Sequence, residues 1–165
     1  IETMKRLLGS YGWTTPVETL LTKSYNSIPN DIAALKSRRM VTASESDEGK
    51  LSFAKLKRMS GDSILSGRKM RAEFEEFKPT FKLVLDTNHA PDTSRADQAF
   101  FDRLKLIPFP VRIENPDPNM KEMLCRELPG ILNWILAPEG LKESREHGLG
   151  ELLREALLLD PAIDE

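Results

Sequence analysis

LVLDTNHAP, Leu83 to Pro91, is an apolar run that stops on a polar Asn. A dozen residues on, a lone arginine, Arg103, stands inside FFDRLKLIPFPV. A buried strand that brings an amide to its carboxyl end, followed by an arginine leading into another strand, is a common plan of nucleotide-hydrolysing α/β sheets. Against that plan, the chain contains no Gly-x-x-x-x-Gly-Lys-Ser/Thr phosphate loop, and its first residues already read as helix.

The chain has 165 residues, enough for one domain with a real core but not for two independent ones. With 39% apolar and 30% charged residues it has the balance of a soluble globular protein. No apolar run approaches the roughly 20 residues that a membrane span needs. Ile1 onward shows no basic leader with an apolar centre, and a single Cys125 cannot form an internal disulfide, so the expected setting is a reducing cytoplasm. The net charge of -2 hides a gradient: Lys50 to Lys82 carries nine Lys/Arg against four Asp/Glu, whereas Glu114 to Glu165 carries five against twelve. A basic middle suits phosphate contacts, and two oppositely charged solvated faces would give the same count.

Ile1, Met4, Leu7 and Leu8 share one helical face, with Gly9 and Gly12 as stop signals. Pro29, Asn30 and Asp31 open a short helix through Leu35, and Met40 to Glu45 reads as a strand ending on a carboxylate. Leu51, Leu56 and Met59 predict a helix stopped by Gly61. Ser63 to Phe81 reads as a hairpin turning at Ser66-Gly67 and projecting Arg68, Lys69 and Arg71. Phe81 to Thr87 is predicted as a strand, Ser94 to Phe101 as a helix, and Leu104 to Ile113 as a strand that Pro108 and Pro110 confine to an edge. Beyond the turn-rich Asn115 to Pro118, three helices are expected: one through Met120, Met123, Leu124 and Leu128, one started by Pro129, and an amphipathic one over Glu151 to Leu159.

Nucleoside triphosphate hydrolysis needs a phosphate cradle with Mg²⁺, a carboxylate to orient water, a polar sensor and positive charge for the transition state. Glu45, beside Ser44 at a strand end, suits the carboxylate, and equally an exposed acid of the Glu45, Asp47, Glu48 cluster. Asn88 suits the sensor or an ordinary strand-exit turn. Arg103 is a transition-state arginine or a helix-end cation. His89, His147 and Cys125 are too few and too scattered for zinc, so no protein-held metal is expected; Cys125 lies on an apolar helical stripe and reads as a core residue.

In chain order, Asn30 to Pro91 (NDIAALKSRRMVTASESDEGKLSFAKLKRMSGDSILSGRKMRAEFEEFKPTFKLVLDTNHAP), then DRLKLIPFPV, Asp102 to Val111, and ELPGILNWIL, Glu127 to Leu136, resemble the ATPase domain of superfamily 3 helicases. The likeness is to the phage and plasmid primase-helicase branch, which includes the poxvirus-type enzymes. It implies an α/β sheet of the AAA+ P-loop NTPase kind with a β-hairpin insertion and C-terminal helices. In that family the phosphate loop lies just before a helix like that of Ile1 to Leu8, so this chain is expected to start directly after it and to be inactive alone. Residues 1–115 would be the partial ATPase core and 116–165 a helical segment of the same domain.

By the same resemblance, Glu45 in TASE matches the acid of the second ATPase motif, and Ser44 stands where many relatives have a second acid contacting the nucleotide's Mg²⁺. Asn88 in DTNHAP matches the sensor, and Arg103 in DRLKLIPF matches an arginine finger given to a neighbouring subunit, although Asp102 replaces the first arginine of the usual pair. Lys57, Arg68 and Lys69 fall in the segment that grips single-stranded DNA. The implied whole is a ring-forming, hexameric 3′-to-5′ DNA helicase that uses ATP and Mg²⁺ on single-stranded or forked DNA in phage, plasmid or prophage replication. A primase domain on the same chain is a further candidate partner. The alternatives are a non-catalytic DNA-binding or assembly module and an inactive prophage remnant.

Overall fold

The computed structural model describes residues 1–22, 30–44, 50–61, 63–88, 93–94 and 96–137. In chain order its regular elements are α1 (Glu2–Leu8), β1 (Gly12–Thr14), α2 (Asn30–Ala33), β2 (Met40–Ser44), α3 (Phe53–Met59), β3 (Leu65–Arg68), β4 (Phe74–Phe77), β5 (Lys82–Asp86), α4 (Gln98–Phe101), α5 (Met120–Arg126) and α6 (Leu128–Leu136). The chain divides into two compact units, Ser10–Leu104 and Ile1–Gly9 with Lys105–Glu165.

The first unit is built on a parallel sheet in the order β1-β2-β5. MVTAS forms its middle strand because β-branched and small apolar side chains fill both faces: Met40 through Ala43 are all buried, and only Ser44 emerges. Gly12 pairs with Met40 on one side of β2, and Met40 with Lys82 on the other. The sequence reading took Gly12 as a helix stop; it instead starts β1, whose short GWT run is held by β2 rather than by a pattern of its own. Arg38 stacks its guanidinium 4.3 Å above the Trp13 ring and donates from Nε to the Ala34 carbonyl at 3.2 Å and from Nη1 to the Ser10 carbonyl. The core lies beneath β2, where Leu20, Leu35, Val41 and Ala43 are fully buried together with Met59 and Phe100.

The helix over Leu51 to Met59 starts after Ser52, whose Oγ accepts from Lys55 N at 3.4 Å, and ends at Ser60, whose Oγ donates to the Leu56 carbonyl at 2.7 Å. The hairpin is real, but its turn lies elsewhere. β3 and β4 pair antiparallel from Leu65↔Phe77 to Arg68↔Phe74, so Ser66 and Gly67 lie inside β3 and the chain reverses over residues 69–73, with Arg71 at a φ of 61°. Gly67 is needed for approach rather than for turning: a Cβ there would lie 2.5 Å from the Ala33 backbone nitrogen. The helix expected from Ser94 starts at Gln98, where Asp97 caps it by accepting from Phe100 N at 3.1 Å. Leu104 to Ile113, expected as an edge strand, form no strand: among the described residues no other strand pairs with them.

In the second unit α1 packs against α5 and α6, burying Leu8 and Ile135. Gly9, at a φ of 54°, ends α1 in the left-handed region, where a side chain would be strained. Arg6 Nη1 lies 3.4 Å from Cys125 Sγ. Pro129 sits in the first turn of α6, where its missing N–H has no helical partner to lose. The helix expected over Glu151 to Leu159 lies outside the described residues. Among the described residues no helix is long and apolar enough to cross a membrane.

Candidate functional site

Parallel strands end together, so the carboxyl ends of β1, β2 and β5 form one polar edge. Ser44 closes β2 and is exposed; its register partner is Asp86, the exposed last residue of β5. Asn88 follows two residues later and is also exposed. A hydroxyl, a carboxylate and an amide therefore leave adjacent strands at the edge where open α/β sheets bind ligands. Beneath them, Thr42 is buried and satisfied, its Oγ1 3.2 Å from Thr14 Oγ1 and donating to the Trp13 carbonyl at 3.3 Å. Beside β1, Thr15 Oγ1 donates to Thr19 Oγ1 at 3.2 Å, and Thr19 Oγ1 donates to Asp31 Oδ2 at 3.4 Å. Ser44, Asp86 and Asn88 are exposed above them. Glu45 and His89 lie outside the described residues.

Arg103 bonds to α3. Its Nη1 donates to the Lys57 carbonyl in the last turn of α3 at 3.0 Å. Lys57 in turn directs its ammonium to Asp97 Oδ2 at 2.6 Å. The hydrogen bond from Lys57, together with its positive charge, holds the Asp97 carboxyl below the usual carboxylate range. Lys57 and Arg103 are thus brought together, Lys57 being tied to an acid of its own chain.

Arg68 and Lys69 are both exposed at the hairpin end, with the Arg68 guanidinium 5.1 Å from the Phe74 ring centroid. Met70 and Phe74 are exposed beside them, making a basic tip with apolar and aromatic surface. The basic count is offset nearby: β4 carries Glu75 and Glu76, and Lys36 Nζ binds Glu75 Oε2 at 2.8 Å. That hydrogen bond and the adjacent charge lower the Glu75 pKa from its ordinary value. The hairpin is therefore cationic at its turn rather than along its length.

Neither a protein-family model nor a curated protein matches the chain. No set of three His, Cys, Asp or Glu side chains that could hold a metal occurs among the described residues. With no phosphate-loop sequence in residues 1–165, Ser44, Asp86 and Asn88 are too few to hold a magnesium triphosphate by themselves, and no chemical step through one is assigned to them.

Two residues of these clusters are not singled out by sequence. Asp86 is the D of LVLDT, and its position at the end of an apolar strand run was the available signal. Asp97 precedes Gln98-Ala99-Phe100-Phe101 as an N-cap residue would.

Proposed function

We propose that this chain forms part of the ATPase domain of a superfamily 3-type DNA helicase acting in phage, plasmid or prophage replication. The observation that carries the reading is the shared carboxyl edge of a three-stranded parallel sheet, with Ser44 and Asp86 paired and Asn88 immediately beyond. The exposed basic tip with Arg68 and Lys69 supports a nucleic-acid partner, because cationic groups beside an aromatic face suit a phosphate backbone and its bases. In this reading Glu45 orients the attacking water, Ser44 lies near the nucleotide's Mg²⁺, Asn88 senses the terminal phosphate, and Arg103 completes the site of a neighbouring copy in a hexameric ring moving 3′ to 5′. Lys57, Arg68 and Lys69 meet single-stranded DNA, and a primase domain on the same chain is compatible with it. A cytoplasmic setting goes with this reading. Residues 1–165 alone are expected not to turn over ATP, since no phosphate-loop sequence occurs among them.

The test is ATPase activity of the complete gene product, with and without single-stranded DNA. DNA-stimulated turnover that falls about 10³-fold or more in Arg103→Ala is expected, the size associated with arginine fingers elsewhere. Near-normal turnover in that variant would refute the finger role. A non-catalytic DNA-binding or assembly module is the second reading, favoured by the bonding of both Lys57 and Arg103 within their own chain. DNA binding without turnover would select it. An inactive prophage remnant would show neither.

A further inference from the structure

Arg103 is seated rather than free. The last carbonyls of a helix lack helical partners and carry the negative end of its dipole, and the Arg103 guanidinium bonds one of them, Lys57 O, at 3.0 Å. The seat lies directly against Gly61. A Cβ at Gly61 would lie 3.1 Å from Arg103 Nη1 and 3.0 Å from the same Lys57 carbonyl oxygen, so even one methyl group crowds the guanidinium. Two contacts brace the arrangement. Lys57 Nζ grips Asp97 at 2.6 Å, at the start of α4, and the Phe53 and Phe100 rings pack with centroids 4.7 Å apart. The short segment carrying Arg103 is thereby fastened to α3 at its beginning, its middle and its end.

We propose that this seat is autoinhibitory: Gly61 and the Lys57 carbonyl park Arg103 on its own chain, and it must leave α3 before it can serve a second copy. The inference rests on the reading of Arg103 as an arginine finger. A guanidinium bonded to its own α3 is unavailable in trans, so the apparent activity scales with the fraction of chains in which it has left the seat. Lys57 adds a trigger of defined chemistry: a phosphate drawing its ammonium from Asp97 loosens the same clamp.

Two measurements decide the matter. In the 165-residue chain, rotation of the Arg103 guanidinium, followed by ¹⁵N NMR, should be slower than in Gly61→Ala; equal rotation in the two overturns the proposal. In the complete gene product, Gly61→Ala should raise ATPase activity by roughly 3- to 10-fold, as expected when a mostly parked group is released. Asp97→Asn, which keeps a helix-capping side chain but loses the charge paired with Lys57, should move activity in the same direction by less. Unchanged or lower turnover in both variants overturns autoinhibition. Full activity in Arg103→Ala sinks the finger reading instead, and is told apart because slow guanidinium rotation in the wild type would persist.

Discussion

Gly67→Ala tests the architecture at its tightest point. The added Cβ would lie 2.5 Å from Ala33 N, 2.8 Å from Ala33 Cα and 3.0 Å from Ala33 Cβ. The first of these is about 1 Å short of ordinary contact, and the obstacle is backbone rather than the end of a flexible side chain. Neither side yields easily. Ala33 is buried in α2 next to Leu35, which is fully buried, while β3 is fixed by the ladder to β4 and by buried Leu65. Overpacking of this kind costs about 1–3 kcal/mol, and a backbone clash belongs at the upper end. The loss of unfolded-chain freedom on replacing glycine returns about 0.4–1 kcal/mol, leaving a net destabilisation of about 2 kcal/mol. With a urea m-value of about 1–3 kcal/mol/M, the unfolding midpoint should fall by roughly 1 M. Urea titration followed by tryptophan fluorescence reads this directly, since Trp13 packs against the same core. Ser66→Ala, on the exposed side of β3, is the control and should leave the midpoint in place. A Gly67→Ala midpoint equal to or above that of the wild type would show that α2 does not rest on β3 at this position.

Gly130 presents the opposite case, because it lies in α6 with nothing within 4 Å of where a Cβ would be. Gly130→Ala should therefore stabilise the protein by about 0.5–1 kcal/mol, through helix propensity, and a drop in thermal midpoint would contradict the helical assignment there. For Glu75, the Lys36 hydrogen bond and charge lower the folded pKa, so its contribution to stability is present above the ordinary carboxylate pKa and is lost as pH falls through the lower folded value. NMR titration should find Glu75 protonating at lower pH than in Lys36→Met; identical titration in both would dissolve the assigned pair.

The candidate site was partly legible because strand exits are local events. Where MVTAS and LVLDT change from apolar to polar, Ser44 and Asn88 had to emerge, and the structure has both exposed at the same sheet edge. The partner that meets each one was not legible. Asp86 faces Ser44 only because β2 and β5 run parallel in that register, and register between distant strands is written in no local pattern. Arg103 likewise read as either a finger or a helix-end cation, and its bond to Lys57 O supplies the cation's partner within the chain.

By themselves, the residues determined which segments could be strands and helices. Apolar runs such as Met40 to Ala43 must be buried, helical stripes must find a face, and Pro129 can start a helix but has no N–H to give a ladder. Tertiary structure alone decided that Gly12 begins a strand, that Gly67 serves close approach instead of a turn, and that 105–113 stays irregular despite its β-branched and aromatic residues. Each depends on what lies opposite: β2 for Gly12, the Ala33 backbone for Gly67, and a paired strand that 105–113 lacks among the described residues. A glycine or a short apolar run carries little energy of its own, so its conformation is set by contacts from far along the chain.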